Sequence, residues 1–139
     1  MQKLVVDSSV IVKWLNTKNE INIEQADKIL KDGQVGKITL IAPGLSRYEI
    51  GNALLNKNLI LPQAFDALGT SYNLPVTFVP ETKELAFDTY RMSQESKITY
   101  YDASFIALAK QTSATLVTDN PKHQAKVKGV NVVALKDYK

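Results

Sequence analysis

Short apolar segments of strand length alternate with segments of helical periodicity along most of the chain, and this alternation restricts the fold more than any other feature. The strand-like segments span residues 4–6, 37–42, 76–79, 115–118 and 130–135. The helical segments span residues 10–15, 23–35, 45–56, 82–96 and 101–111, and a further helix is predicted from Pro62. Strands separated by helices pair in parallel through crossover connections, which cover the sheet on both faces. The sequence therefore predicts an α/β protein with three layers, α/β/α, and a central, mostly parallel sheet.

Length and composition limit the classes of protein that this chain can represent. With 139 residues, of which 45% are hydrophobic, the chain is predicted to form a single domain over residues 1–139. It contains no cysteine, which excludes disulfides, thiolate metal sites and thiol nucleophiles. No apolar run approaches the roughly 20 residues that cross a bilayer, and no export signal is visible. We therefore expect a cytoplasmic protein that does not associate with membranes.

The charge is moderately basic, with a net value of +3 and a pI near 9.0. Several lysines concentrate near the end of the sequence and are offset there by Asp137: Lys122, Lys126, Lys128, Lys136 and Lys139. Such a concentration is compatible with a surface that faces phosphate groups, and it is equally compatible with an ordinary solvated face. The charge alone does not decide whether the protein binds nucleic acid.

Four acidic residues lie at or beside the ends of apolar segments. Asp7 follows the first predicted strand and Asp119 follows the segment TLVT, while Glu49 and Asp102 lie in predicted helices. The carboxyl ends of parallel strands meet at one edge of a sheet, where open α/β folds bind their ligands. Several carboxylates close together require a cation, and oxygen ligands favour Mg²⁺ or Mn²⁺. The pattern predicts a metal site with phosphate chemistry.

Each acidic residue also has a structural interpretation. Asp7 is suited to cap the helix that follows it, and Asp102 to stabilise the first turn of its own helix. Asp119 precedes Asn120 and Pro121, a sequence typical of a turn before a short helix. Glu49 is the hardest to explain structurally, because it lies among apolar helical residues, where an unpartnered carboxylate is unusual.

Other catalytic sites lack the residues that they need. The single histidine, His123, lies in a polar segment typical of a protein surface, and one histidine excludes both a histidine-pair ribonuclease and a zinc protease. No serine occurs in a G-x-S-x-G motif, which argues against a serine hydrolase. Residues 33–37 read GQVGK, but they lack the spacing and the hydroxyl residue of a phosphate-binding loop and follow a helix.

Three segments together resemble the PIN domain family, and within it the VapC-type toxins of toxin–antitoxin pairs. The opening strand and first acidic residue of that family resemble VVDSSVIVKWL, its Glu helix resembles APGLSRYEIGNALL, and its last two acidic segments resemble ITYYDASFIALAKQTSATLVTDN. The resemblance spans nearly the whole chain in the same order and spacing. It implies a three-layer PIN-like fold.

The resemblance also implies site residues. The metal-binding and catalytic set is Asp7, Glu49, Asp102 and Asp119, with Ser9, Asn52 and Thr118 in supporting positions. One departure concerns the last acidic residue, which in the family usually follows the threonine by two positions. Here Asp119 follows Thr118 directly and Asn120 occupies the expected place. Either Asp119 reaches the site through a shifted turn, or Asn120 substitutes as a neutral oxygen ligand and weakens metal binding.

The expected function is that of an endoribonuclease dependent on Mg²⁺ or Mn²⁺, acting as the toxin of a toxin–antitoxin pair. The resemblance further implies RNA as substrate, a cognate antitoxin protein as partner, and a homodimer or higher homo-oligomer. Two alternatives stay open at this point: a catalytically weakened RNA-binding or protein-interaction domain, and a DNA-directed or structure-specific nuclease. Tyr100 and Tyr101, beside Asp102, are suited either to stack on bases or to pack inward.

Overall fold

The computed structural model describes residues 2–125 and 127–139. The strands in these residues are β1 Gln2–Val6, β2 Ile38–Pro43, β3 Val76–Val79, β4 Thr115–Thr118 and β5 Val132–Ala134. The helices are α1 Ser8–Leu15, α2 Ile23–Gln34, α3 Ser46–Leu55, α4 Leu61–Ser71, α5 Lys83–Ser96, α6 Tyr100–Thr112 and α7 Pro121–Gln124, and a short 3₁₀ helix follows at Leu135–Asp137. The predicted alternation of strands and helices is confirmed.

The five strands form one sheet in the order β3-β2-β1-β4-β5, and every pair of neighbours is parallel. The chain winds from β1 towards β2 and β3 on one side and later places β4 and β5 on the other. The order of strands therefore reverses between β1 and β4, which is the position where open α/β sheets form their ligand crevice. Asp7 and Thr118 lie at the carboxyl ends of these two strands.

Alternating residues of β1 contribute to two separate cores. Leu4 and Val6 pack on the side of α1 and α2, where Ile29 is fully buried. Val5 points to the opposite side and packs with Phe105 of α6, which is also fully buried. Burial on both faces is typical of a parallel sheet enclosed by helices. The predicted three-layer α/β/α arrangement is confirmed.

The helix and strand boundaries differ from the predictions by a few residues. Thr82 and Thr99 precede α5 and α6 as N-caps, with their hydroxyl oxygens accepting the N–H groups of Leu85 and Asp102 at 3.1 and 3.0 Å. The predicted strand over residues 130–135 is shorter, at Val132–Ala134, because Gly129 turns the chain at a φ of +87° and the 3₁₀ helix begins at Leu135. The helices of the described residues include none with the length and apolar character needed to cross a bilayer.

Candidate functional site

The carboxyl ends of β1 and β4 open onto a cavity of about 380 Å³. The junction of β1 and α1 contributes Asp7, and the first turn of α6 contributes Asp102. The segment from the end of β4 into α7 supplies the other lining residues, which are Thr118, Asn120, Lys122, His123 and Gln124. The structure thus brings together two of the four predicted acidic residues, 95 positions apart in the sequence, in one cavity at the switch point of the sheet.

Asp7 caps α1 and is held by three donors on the same oxygen. Its Oδ2 accepts the backbone N–H of Ser9 at 3.2 Å, the Ser9 hydroxyl at 2.6 Å and the Thr118 hydroxyl at 3.2 Å. Burial raises the pKa of Asp7; the hydrogen bonds from Ser9 and Thr118 oppose this shift, and the nearby charge of Asp102 adds to it. The structural interpretation of Asp7 as the cap of α1 is therefore confirmed, and burial disfavours its charged form; its role in metal binding stays a prediction.

Glu49 lies in the first turn of α3 and is coupled to the same charges. The Ser8 hydroxyl donates to Glu49 Oε1 at 2.9 Å and lies 2.7 Å from the Ser46 hydroxyl, which is buried. Burial raises the pKa of Glu49 against the effect of the Ser8 hydrogen bond, and repulsion from Asp7 and Asp102 raises it further. We refer to Asp7, Glu49 and Asp102 as the acidic site.

Asp102 is positioned by hydrogen bonds of both its backbone N–H and its backbone carbonyl group. Its backbone N–H donates to Thr99 Oγ1 at 3.0 Å, and its carbonyl oxygen accepts the side-chain amide of Gln124 at 3.4 Å. Gln124 is almost completely buried at the end of α7. This link fixes the distance between α6 and the segment that carries Asn120, and it was not predicted, because a glutamine in a polar segment gives no sign of burial.

Asp119 points away from the cavity. Its Oδ2 lies 3.0 Å from Lys13 Nζ, its Oδ1 accepts the Asn22 amide at 3.3 Å, and its backbone N–H donates to Ser9 Oγ at 3.1 Å. Asn120 lines the cavity instead, with its backbone N–H bonded to Thr118 Oγ1 at 3.2 Å. Of the two alternatives left by the sequence, the geometry therefore favours Asn120 at the fourth position, and a ligand role for Asp119 stays a prediction.

Asp119 belongs to a group of buried ion pairs beside the cavity. Lys13 is only 2% exposed, and its Nζ lies 2.9 Å from Glu20 Oε1 and 2.7 Å from the Ile21 carbonyl oxygen. Lys57 Nζ lies 2.7 Å from the other oxygen of Glu20. Burial lowers the pKa of Lys13, but the contacts with Glu20 and Asp119 outweigh it, so that the pKa is raised overall. We refer to Lys13, Glu20, Lys57 and Asp119 as the ion cluster.

The ion cluster was not predicted, although the sequence contains a signal for it. Lys13 interrupts the apolar run of α1 between Val12 and Trp14, whereas Lys57 lies between Asn56 and Asn58 and gives no such signal. A lone lysine within an apolar run must find a partner when it is buried. The identity of that partner is a tertiary property, since Asp119 is 106 positions away from Lys13 in the sequence.

The donor groups at the cavity fit a hard divalent cation. No group of three or more His, Cys, Asp or Glu side chains within residues 2–125 and 127–139 is arranged to hold a metal ion. The cavity nevertheless offers the carboxylates of Asp7 and Asp102 beside the neutral oxygens of Thr118 and Asn120. Mg²⁺ commonly uses only one or two carboxylates and completes its shell with water and substrate phosphates. The donor set therefore suits Mg²⁺ or Mn²⁺ better than zinc.

The basic residues near the end of the chain are only partly associated with the cavity. Lys122 and His123 are exposed and line it, whereas Lys128, Lys136 and Lys139 are exposed elsewhere, and Lys126 lies outside the described residues. His123 was predicted to be a surface residue, and it is one that also borders the acidic site. Among the described lysines of this group, Lys122 is therefore the one best placed to meet a phosphate at the cavity.

A second groove, of about 520 Å³, lies along α3 beside Glu49. Its lining residues are Tyr48, Glu49, Asn52, Ala53, Asn56 and Tyr101. Asn52, predicted to support the acidic site, lies in this groove together with Glu49. Of the two neighbouring tyrosines of α6, Tyr101 lines the groove, whereas Tyr100 is half-buried and donates its hydroxyl to Glu81 at 2.8 Å.

The sequence matches the model of the PIN domain family over residues 4–130. No similar protein was found among curated proteins. Several solved structures share the fold. The structure of PAE2754 from Pyrobaculum aerophilum has 23% identity and a TM-score of 0.69, with 97% of this chain and 90% of that chain covered.

Two further structures come from proteins with described activities or partners. A toxin–antitoxin complex from Klebsiella pneumoniae has 16% identity and a TM-score of 0.70, with coverage of 95% of this chain and 97% of that chain. VapC20 from Mycobacterium tuberculosis, described as a toxin that cleaves the sarcin-ricin loop, has 15% identity and a TM-score of 0.65, with coverage of 88% and 93%. At these sequence identities, the likeness shows a shared fold and nothing more.

Proposed function

The chain belongs to the PIN domain family, and from that membership we propose that it is an endoribonuclease dependent on Mg²⁺ or Mn²⁺ and the toxin of a toxin–antitoxin pair. One observation carries the proposal: Asp7 and Asp102 share a cavity at the switch point of the sheet, where the charge of Asp102 further disfavours the charged form of the buried Asp7. RNA as the substrate is supported by the likeness to VapC20, a toxin described as cleaving the sarcin-ricin loop. The cytoplasm is the proposed place of action.

The proposed metal ligands are Asp7 and Asp102, with Asn120 at the fourth position and Glu49 completing the site directly or through water. A divalent ion bound there supplies an activated water and neutralises the scissile phosphate. Ser9 and Thr118 orient the carboxylate of Asp7 through their hydrogen bonds to Oδ2. We assign to Asp119 the role of holding the chain before Asn120 through Lys13.

Glu49 is the proposed proton acceptor of the reaction. Ser8 fixes Glu49 Oε1, so Oε2 is the oxygen that receives the proton from the attacking water. Burial raises the pKa of Glu49, which makes its carboxylate a stronger proton acceptor. Lys122, exposed at the cavity, is suited to contact a phosphate of the bound strand.

The proposed partners are an antitoxin protein and a second copy of the chain. The likeness to a chain of a solved toxin–antitoxin complex supports the antitoxin. The homodimer or higher homo-oligomer follows from the sequence resemblance alone. An antitoxin that covers the acidic site would block both the metal and the substrate.

One observation favours a second candidate function, that of a catalytically weakened RNA-binding or protein-interaction domain. Asn120 contributes no charge to the cavity, where a further carboxylate would bind the metal more strongly. A DNA-directed or structure-specific nuclease with the same ions is the third candidate, since carboxylates and metal do not distinguish ribose from deoxyribose.

The test is cleavage of end-labelled single-stranded RNA by the purified chain, free of antitoxin, in Mg²⁺, Mn²⁺ or EDTA. Asp7→Asn is the test variant, and Asp66→Asn, at a position on α4 outside the cavity, is the matched control. We expect metal-dependent cleavage that is lost in Asp7→Asn and retained in Asp66→Asn. Binding without cleavage would favour the weakened domain, and preferred cleavage of DNA of the same sequence would favour the third candidate.

A further inference from the structure

The groove along α3 has a regular arrangement of aromatic and amide side chains. Tyr48 and Asn52 are four residues apart in α3, and Asn56 follows at the same spacing as its C-cap, so the three occupy one face. Tyr101, in the first turn of α6, lines the same groove, and Ala53 leaves room between the larger side chains. The groove thus has two aromatic rings and two amides around an open space.

The two tyrosines of the groove are largely exposed to solvent. Tyr48 is 85% exposed and Tyr101 is 61% exposed. By comparison, the neighbouring Tyr100 is half-buried and hydrogen-bonded to Glu81. Exposed rings that border a cleft are common where a protein stacks on an unpaired base, because every base offers a ring face.

The charges of the groove indicate which part of a nucleotide it suits. Glu49 lines the groove and accepts a hydrogen bond from Ser8, the residue next to Asp7, at 2.9 Å, so the negative field of the acidic cavity extends to the groove. This field repels a bare phosphate but not a neutral base. Asn52 and Asn56 each offer an amide donor and an acceptor, which match the hydrogen-bonding edges of bases.

We propose that this groove binds an unpaired nucleobase of the RNA strand, stacked on Tyr101 and Tyr48, with its edge contacted by Asn52 and Asn56. The identification of the strand as RNA rests on the proposed function. At about 520 Å³, the groove lies within the usual range of roughly 300 to 1,000 Å³ for small-molecule sites. The base in this groove lies next to Glu49 and therefore beside the acidic site.

The experiment measures RNA affinity separately from cleavage. The probe is a single-stranded oligoadenylate about 10 nucleotides long that carries one 2-aminopurine, whose fluorescence changes on stacking, and binding is titrated in EDTA. The test variants are Tyr48→Ala and Tyr101→Ala, each paired with the ring-preserving Tyr48→Phe or Tyr101→Phe. Tyr90→Ala is the control, because Tyr90 is 64% exposed on α5 but lines a different cavity.

We expect each alanine variant to bind the probe about 5- to 150-fold more weakly and to lose the change in 2-aminopurine fluorescence. Both phenylalanine variants and Tyr90→Ala should bind like the wild type, because stacking uses the ring and not the hydroxyl. Wild-type affinity in both alanine variants would overturn the nucleobase site and favour a protein-docking groove.

Failure of the proposed function has a different signature. If the tyrosines determine RNA binding but no RNA is cleaved in Mg²⁺ or Mn²⁺, the nucleobase site stands and the nuclease fails. If RNA is cleaved and the tyrosine variants bind the probe normally, the nuclease stands and the nucleobase site fails. No binding of the probe by the wild type would overturn the site.

Discussion

The acidic site and the ion cluster lie side by side at one edge of the sheet, but their carboxylates have different partners. In the ion cluster, Asp119 and Glu20 each lie within 3.0 Å of a buried lysine nitrogen. In the acidic site, Asp7 and Glu49 accept hydrogen bonds from hydroxyl and backbone N–H groups. Within the described part of the chain, no lysine, arginine or histidine forms a salt bridge with Asp7, Glu49 or Asp102.

This difference indicates which carboxylates stabilise the fold without a ligand. The charged form of Lys13 is favoured in the fold despite burial, whereas the charged forms of Asp7 and Glu49 are disfavoured. The ion cluster is therefore electrostatically complete without any ligand. The acidic site is incomplete, and a cation from solution would relieve both the burial and the mutual repulsion.

The largest effect on stability is expected from Lys13→Met. The substitution keeps an apolar stem in α1 but leaves Asp119 without its lysine partner, while Glu20 keeps only Lys57. Removing one member of a buried ion pair typically costs about 3 to 5 kcal/mol of unfolding free energy. Urea unfolding checks this value, with Lys28→Met as the control, since the Lys28 side chain is 46% exposed. A loss as small as that of the control would contradict the completeness of the ion cluster.

The next effect concerns activity. We expect Asp7→Asn to lower the cleavage rate by about 10²- to 10³-fold, as for the loss of one electrostatic group at a reacting centre. The same variant should not be less stable than the metal-free wild type, because asparagine caps helices as well as aspartate does and carries no buried charge. Single-turnover cleavage and thermal unfolding measure the two quantities. A large loss of stability would show that Asp7 is primarily structural.

Asn120→Asp sharpens the comparison by adding a charge to the acidic site. A third carboxylate at the cavity should strengthen Mn²⁺ binding by about tenfold and destabilise the metal-free protein, because like charges gather there. Isothermal titration and thermal unfolding without metal measure the two effects. Asn73→Asp, at an exposed position after α4, is the control. Unchanged Mn²⁺ affinity would mean that residue 120 does not face the bound ion.

The smallest effect is a pH dependence of stability without metal. A carboxyl group whose pKa is raised by folding favours the protonated form. Its contribution to the free energy of unfolding is therefore fully present below the pKa of the unfolded chain and is lost as the pH rises through the pKa of the folded protein. For Asp7, this loss occurs between the ordinary pKa of 3.8 and the raised pKa of the folded protein. We therefore expect any stability advantage of Asp7→Asn over the wild type at neutral pH to shrink as the pH falls towards 3.8. An advantage that grew on acidification would reverse the sign of the assigned shift.

The sequence predicted the sheet and the position of Asp7 because both depend on local patterns. The apolar periodicity of a strand or a helix is visible within a few consecutive residues, and a polar residue directly after a buried strand lies at the edge of the sheet. The direction of Asp119 could not be predicted in this way. It depends on Lys13, which becomes a neighbour only after α1 and β4 have been placed beside each other.

The groove along α3 could not be predicted from the sequence either, for a different reason. The helix has apolar and polar residues on several sides, and nothing in its pattern distinguishes the exposed Tyr48 from the buried Ile50. Exposure is decided by what the helix packs against. Predictions about partners, oligomers and a single domain over the whole chain likewise depend on more than local patterns, and they stay predictions.

The most direct test of the difference between the two regions is an Mn²⁺ titration of the wild type, Asp7→Asn and Asp119→Asn by isothermal calorimetry. If the acidic site is the incomplete one, the wild type binds Mn²⁺, Asp7→Asn loses binding, and Asp119→Asn still binds Mn²⁺ although it disturbs the ion cluster. Loss of binding in Asp119→Asn with retention in Asp7→Asn would contradict this account. So would a wild type that binds no Mn²⁺.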